Sequence, residues 1–266
     1  MSDPHLNTSL VGDPQTAAHR VVFLHGLFGR GRNFGMIATG LAPEAASLLV
    51  DLPNHGASGW TDRFDYAEIA DIVANELRRG FAADGSVDVV GHSMGGKVAM
   101  VLALRHPDLV RRLVVLDISP VDSRSSRGEF QHLLYSLSSV DLSQVSRRSD
   151  AEDRLREKIP KDGVRSFLLQ NLKRGDRGYE WEPNLALLRA ELPNIMGWPD
   201  TSGAQFTGPV LWVRGERSDY VIDEDAPAMR ALFPRTRRLT LRDANHWVHS
   251  DKPAEVIDAL RGFLLS

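Results

Sequence analysis

Val87-Asp88-Val89-Val90 runs straight into Gly91-His92-Ser93-Met94-Gly95-Gly96, and the reading of this stretch decides the fold. The first four residues suit a buried strand, and the glycines that follow predict a sharp turn at its end. Small residues at Gly91 and Gly95 let the chain cross itself closely, which lifts the Ser93 hydroxyl clear of the sheet to where a carbonyl carbon can reach it. Residues 97–106 then repeat Val98, Val101, Leu102 and Arg105 at helical spacing, and Pro107 stops the pattern. An isolated G-x-S-x-G is often only a flexible loop. Here the strand before it and the helix after it supply the context that a nucleophilic serine requires.

Strand-like runs recur at 20–24, 47–51, 87–90, 112–117, 210–214 and 238–241, with helical patterns between them. That alternation predicts an α/β fold with a mainly parallel sheet covered on both faces. Residues 66–81 carry Ile69, Ile72, Val73 and Leu77 on one face behind the cap candidates Asp62 and Asp65, and 253–265 closes the chain in the same manner. From Ile118 to about Thr207 the alternation stops. That segment is helical in pattern, charged and without long strand candidates, with short amphipathic helices expected at 130–145, 151–159, 164–172 and 184–192. The expected organisation is therefore a core of residues 20–118 and 207–266, with 119–206 inserted as a helical lid. Single charges in the insert are read first as a solvated face.

With 266 residues, 42% hydrophobic and 25% charged, the chain can bury one substantial core and needs no second domain. A net charge of −3 leaves no broad basic face for nucleic acid and no polybasic stretch for an anionic membrane, so a small-molecule partner is expected. No run approaches a membrane span, and residues 1–10 lack the basic start and apolar middle of a secretory signal, which leads to the expectation of a cytoplasmic protein. The complete lack of cysteine rules out disulfides, thiolate catalysis and thiolate metal sites.

A serine hydroxyl is a poor nucleophile until a base takes its proton, and on this turn the base belongs late in the chain. His246 fits, just beyond the last strand in Asp243-Ala244-Asn245-His246-Trp247-Val248-His249, with His249 as its competitor. The other seven histidines, His5, His19, His25, His55, His92, His106 and His132, are read as structural, and no spacing suggests a metal or cofactor. The oxyanion of a tetrahedral intermediate needs donors. The backbone N–H of Met94 at a helix start is one candidate, and that of Leu27 in His25-Gly26-Leu27-Phe28-Gly29 is the other. The acid is open on residues alone: Asp117 ends one strand, Asp219 follows another, and Ser218 occupies the place where a carboxylate often stands.

Taken together these segments resemble the α/β-hydrolase superfamily, and specifically the YbfF-type esterases and their mitochondrial abhydrolase relatives. The resemblance rests on His25-Gly26-Leu27-Phe28-Gly29, Asn54-His55-Gly56-Ala57-Ser58, Gly91 to Lys97, Asp117-Ile118-Ser119-Pro120-Val121-Asp122, Ser218-Asp219-Tyr220-Val221, and His246 to His249 with Lys252-Pro253. It implies that Asp117 is the acid and Ser218 an auxiliary partner of His246, with Asp219 as the alternative acid. Pro53, Asn245 and Glu216-Arg217 depart from the family pattern.

The expected function is a serine hydrolase that cleaves carboxylic esters or acyl thioesters of short to medium chain, acyl-CoA among them, through an acyl-enzyme. Phe28, Phe130, Phe167, Trp198, Tyr220 and Trp247 are the candidate substrate-binding side chains, with Leu133, Leu134 and Leu168 beside them; a plain packing role is their simpler reading. A carbon–carbon bond hydrolase of the same fold and an inactive ligand-binding homologue are the two rival expectations.

Overall fold

A computed structural model describes residues 3–122, 127–176 and 178–266. Two strands, β1 (Thr8–Val11) and β2 (His19–Leu24), lead through helix α1 (Gly35–Leu41) to β3 (Ala45–Val50). Helix α2 (Tyr66–Arg79), strand β4 (Val87–His92), helix α3 (Met94–Arg105) and strand β5 (Val110–Leu116) follow. Between β5 and the next strand of the main sheet lie α4 (Arg127–Ser138), α5 (Arg148–Arg156), α6 (Asp162–Leu169), the hairpin β6 (Leu172–Gly175) and β7 (Gly178–Trp181), α7 (Leu185–Ala190) and α8 (Leu192–Met196). The chain ends with β8 (Val210–Gly215), α9 (Ala226–Leu232), β9 (Thr236–Leu241), α10 (Val248–Asp251) and α11 (Pro253–Leu264).

The main sheet has seven strands in the order β1-β3-β2-β4-β5-β8-β9, with β1 antiparallel to β3 and every other pairing parallel. The α/β expectation with a mainly parallel sheet is met. A strand buried on both faces has no polar side to show, and β3 and β4 are accordingly buried at every position. The two faces carry separate apolar clusters. One, around Val22, Val89, Val115 and Trp212, packs against α2, α3 and the 118–207 segment; the other, around Val21, Val90 and Val213, packs against α1 and α11.

Sequence patterning misses β1 and the β6–β7 hairpin, each built from four-residue strands. Runs that short complete barely two alternations, too few for periodicity to register. Residues 130–145 form not one helix but α4 followed by a short 3-10 turn at Leu142–Gln144. Asp141 explains the break, because its side chain accepts the Ser143 N–H and caps the new turn. Among the described residues no helix is long and apolar enough to cross a membrane.

Candidate active site

The site sits at the carboxyl ends of β4, β5 and β8, where an open α/β sheet leaves a crevice for a ligand. Ser93 follows β4 at φ 53° and ψ −121°, a conformation that L residues seldom adopt. The turn is kept by its glycines. A β-carbon on Gly91 would lie 2.3 Å from the Gly95 carbonyl oxygen, and one on Gly95 would lie 2.3 Å from the Leu24 carbonyl oxygen. Helix α3 begins at once with Met94, so its unpaired amino end and dipole face the serine.

Three elements then converge on that hydroxyl. His246, on the loop after β9, places Nε2 2.9 Å from Ser93 Oγ and Nδ1 2.9 Å from Asp117 Oδ2. A carboxylate only accepts, so Nδ1 carries the proton and Nε2 presents its lone pair to the serine. Asp117 directly follows β5 at φ 52°, fully buried, and its carboxylate accepts three donors: the Gly215 N–H at 2.8 Å on Oδ1, with the Ser218 hydroxyl and His246 on Oδ2. Asp219 points elsewhere in effect, being exposed at the surface. The Tyr220 ring stacks on His246 with centroids 3.9 Å apart, which fixes the imidazole plane.

The cavity beside Ser93 is nearly closed, about 10 Å³, and is lined by Leu27, Tyr66, Met94, Lys97, Ile118, Phe130, Ile195, Met196 and Tyr220. It therefore takes in the expected Leu27, Met94, Phe130 and Tyr220. Phe28 is buried next door, its ring 6.3 Å from that of Phe130. Phe167 and Trp247 lie 6.0 Å apart and line a separate cleft shared with Asn33, Gln170 and His249. Trp198 is not brought to the serine: its backbone N–H donates to Asp122 and its indole to Thr201, on a groove formed by residues 198–205 with Ala231 and Leu232.

Several residues contribute that were read as structural or passed over. His92 accepts this description: its Nε2–H donates to the His246 carbonyl at 2.9 Å, and its ring packs 4.8 Å from that of His246, so it supports the loop from below. Burial, with the neighbouring His249 and His246, holds His92 well below the ordinary histidine range and hence neutral. His249, the competitor for the base, is instead wedged between Phe34 and His92, and burial lowers it to about 4. Lys97 is 1% exposed and donates to the carbonyls of Val121, Met196 and Gly197 at 2.9, 2.9 and 2.7 Å. Burial pushes its amine down to about 7 against the pull of Asp122. The signal for Lys97 was present in the sequence: α3 is buried from Met94 through Leu104, and a lone lysine in a helix that is apolar all round must bury its charge against something.

Residues 21–259 match the α/β hydrolase family. The chain belongs to that family. This α/β hydrolase is 37% identical over 250 residues to the sn-1-specific diacylglycerol lipase ABHD11 of Danio rerio, covering 92% of this chain and 78% of the relative. It is 32% identical over 244 residues to the esterase YbfF of Escherichia coli K12, covering 92% of each. Among solved structures it resembles a marine microorganism esterase with a TM-score of 0.92 and 32% identity, over 98% of this chain and all of that one. The α/β hydrolase thus lies in the branch of these esterases and lipases, and it is a carboxylic ester hydrolase.

Proposed function

We propose that this carboxylic ester hydrolase works through an acyl-enzyme on Ser93, on esters and thioesters of short to medium acyl chains. The observation that carries the reading is the continuous hydrogen-bonded path from Ser93 Oγ through His246 to the buried Asp117 carboxylate. Ser93 Oγ attacks the acyl carbonyl while its proton passes to His246 Nε2, and Asp117 stabilises the imidazolium that forms. The N–H groups of Leu27 and Met94 receive the developing oxyanion. Collapse breaks the bond to the leaving alcohol or thiol, which takes the proton from Nε2. A water then attacks the acyl carbon, gives its proton to the same nitrogen, and leaves the free acid and the regenerated serine. The Ser218 hydroxyl donates to the same Asp117 Oδ2 that accepts from His246, and so holds that oxygen in line.

In this reading residues 119–206 are a lid over the site. Support comes from Phe130, Ile195 and Met196, which close the cavity from the insert side against Tyr66 and Lys97 from the sheet side. Phe28, Phe130 and Tyr220 border the acyl group. At about 10 Å³ the cavity holds little more than a water molecule, so an acyl group enters only as the side chains of the insert give way. The deciding experiment is mass spectrometry of the protein after a fluorophosphonate, together with an acyl-chain series of p-nitrophenyl esters and acyl-CoA thioesters. A single adduct on the peptide holding Ser93, and rates falling beyond the medium chains, is the expected result. Labelling of another residue, or of none, would overturn the reading.

A further inference from the structure

The loop that carries Leu27 is held from two sides. On the sheet side, the buried Asp51 carboxylate accepts the Gly31 N–H at 2.7 Å, and His25 Nε2 accepts the Leu52 N–H at 2.9 Å. On the other side Phe28 packs on Phe130, and the polar holds come from residues 170–182 of the insert. Asn171, fully buried, donates its Nδ2–H to the Phe28 carbonyl at 2.7 Å and to the Leu168 carbonyl at 3.2 Å. Arg30 donates to the Gln170 carbonyl and pairs with Glu182 at 2.6 Å, both side chains nearly buried. Asn33 reaches the Gln170 side chain at 3.0 Å.

Phe28 sits at φ 64°, in the left-handed region that a phenylalanine occupies only when its surroundings enforce it. The Asn171 amide bonds the carbonyl of that very residue, one peptide away from the Leu27 N–H. Without the donor, a buried carbonyl loses its partner and the left-handed turn loses its restraint, so the Leu27–Phe28 peptide is free to rotate towards an ordinary conformation. A rotation of the turn tilts the neighbouring N–H off the point where the oxyanion forms, and donors to an oxyanion act only when fixed in advance.

We propose that Asn171, seconded by the Arg30–Glu182 pair, is a positioning residue for the oxyanion loop, so that the insert helps stabilise the transition state rather than only covering it. This rests on the acyl-enzyme reading, with Leu27 as an oxyanion donor. Chemistry then requires the insert seated on the loop, and an insert that swings away disarms the site even though Ser93, His246 and Asp117 all lie in the remainder of the chain.

The test compares Asn171→Asp, which keeps the volume but removes the donor, with Asn171→Ala and Glu182→Gln, using p-nitrophenyl acetate and an alkyl boronic acid that mimics the tetrahedral adduct. Losing one oxyanion donor outright costs about 10²- to 10³-fold in kcat, so a misplaced donor is expected to lower kcat about 10- to 100-fold in the Asn171 variants and a few-fold in Glu182→Gln. The boronic acid should weaken in parallel while KM stays within about threefold, the pattern of an interaction made only in the transition state. Unchanged kcat and boronate affinity in folded variants would overturn the inference, as would a rise in KM with boronate affinity preserved. If neither Asn171 variant folds, Glu182→Gln decides by the same criteria. Ser93→Ala separates the two readings: should it retain activity, the acyl-enzyme reading fails, whereas its loss beside unaffected Asn171 and Glu182 variants refutes this inference alone.

Discussion

The sheet core and the 118–207 segment are held by different physics. Across the sheet, β2 to β5 and β8 bury aliphatic side chains on both faces, and Trp212, Phe23 and Phe34 fill the largest volumes with almost no polar atoms to satisfy. The apolar centre of the insert, Leu134, Leu155, Leu168 and Leu188, continues into the cluster on one face of the sheet, but its seam with the core also carries a set of hydrogen bonds to main-chain carbonyls. Tyr66 donates its hydroxyl to the Ile195 carbonyl, Lys97 binds Val121, Met196 and Gly197, the Trp212 indole reaches the Ile118 carbonyl, and the Asn184 N–H reaches the Asn54 carbonyl. Apolar burial is tolerant of small shifts, whereas hydrogen bonds to main-chain carbonyls demand register. The apolar contacts hold the insert down, and the polar ties fix its register against the sheet.

The largest effects belong to the site on the core side. Ser93→Ala should lower kcat on p-nitrophenyl acetate by on the order of 10⁴-fold or more with little change in thermal unfolding. Asp117→Asn leaves His246 free to adopt the wrong tautomer and should cost about 10³- to 10⁴-fold, whereas Asp219→Asn should stay within about twofold because that side chain is exposed. Steady-state kinetics on the three variants settle the order. If Asp219→Asn proves the more damaging, the acid belongs to the later turn and Asp117 only anchors the strand end.

A smaller and different effect is expected at the seam. Lys97→Met fills the same space without donors, which strands one buried and two half-buried carbonyls, and the expected loss is about 2 kcal/mol. The contrast lies in where the loss falls: limited proteolysis should cut residues 119–206 first and leave the sheet core resistant. Cleavage distributed evenly over the chain would mean that core and insert unfold as one unit and that the seam is no special joint.

How much of this was legible in the sequence divides along the same line. Six of the main-sheet strands, the elbow glycines and His246 were readable because β-branched runs, punctuating glycines and the position after a last strand are local patterns. Residues alone left Asp117 and Asp219 open, since each lies just beyond a strand. What distinguishes them is the left-handed Asp117 backbone and the Gly215 and Ser218 donors, which come from 98 and 101 residues away in the chain. Asn171, Arg30 and His92 were passed over for the same reason: each acts by reaching a main-chain carbonyl, and a carbonyl has no sequence signature. Trp198 shows the converse error, an aromatic side chain in an insert that is spent on its own turn.

The smallest effect, and the one that probes the seam without altering a catalytic group, is its response to acid. His55 lies fully buried beneath the Asn54 carbonyl that holds Asn184, with its ring 5.2 Å from that of His25. Its Nδ1–H donates to the Pro53 carbonyl at 3.0 Å, and Nε2 has no partner, so a proton added there finds no acceptor. Burial, reinforced by His25, lowers this histidine from 6.5 to about 3. A folded value below the unfolded one means that, as pH falls beneath 6.5, the unfolded chain takes up a proton that the folded chain refuses. Stability is then full above pH 6.5 and declines by about 1.4 kcal/mol per pH unit on the way down, from this residue alone. Urea unfolding at pH 7, 6 and 5 should show at least that slope, since His25, His92 and His249 are lowered too, and His55→Gln should reduce it by about 1.4 kcal/mol per pH unit while leaving the two proteins closer together at pH 7 than at pH 5. Parallel curves for the two proteins at all three pH values would place the acid-sensitive groups elsewhere, with the similarly lowered His25 and His92 next in line.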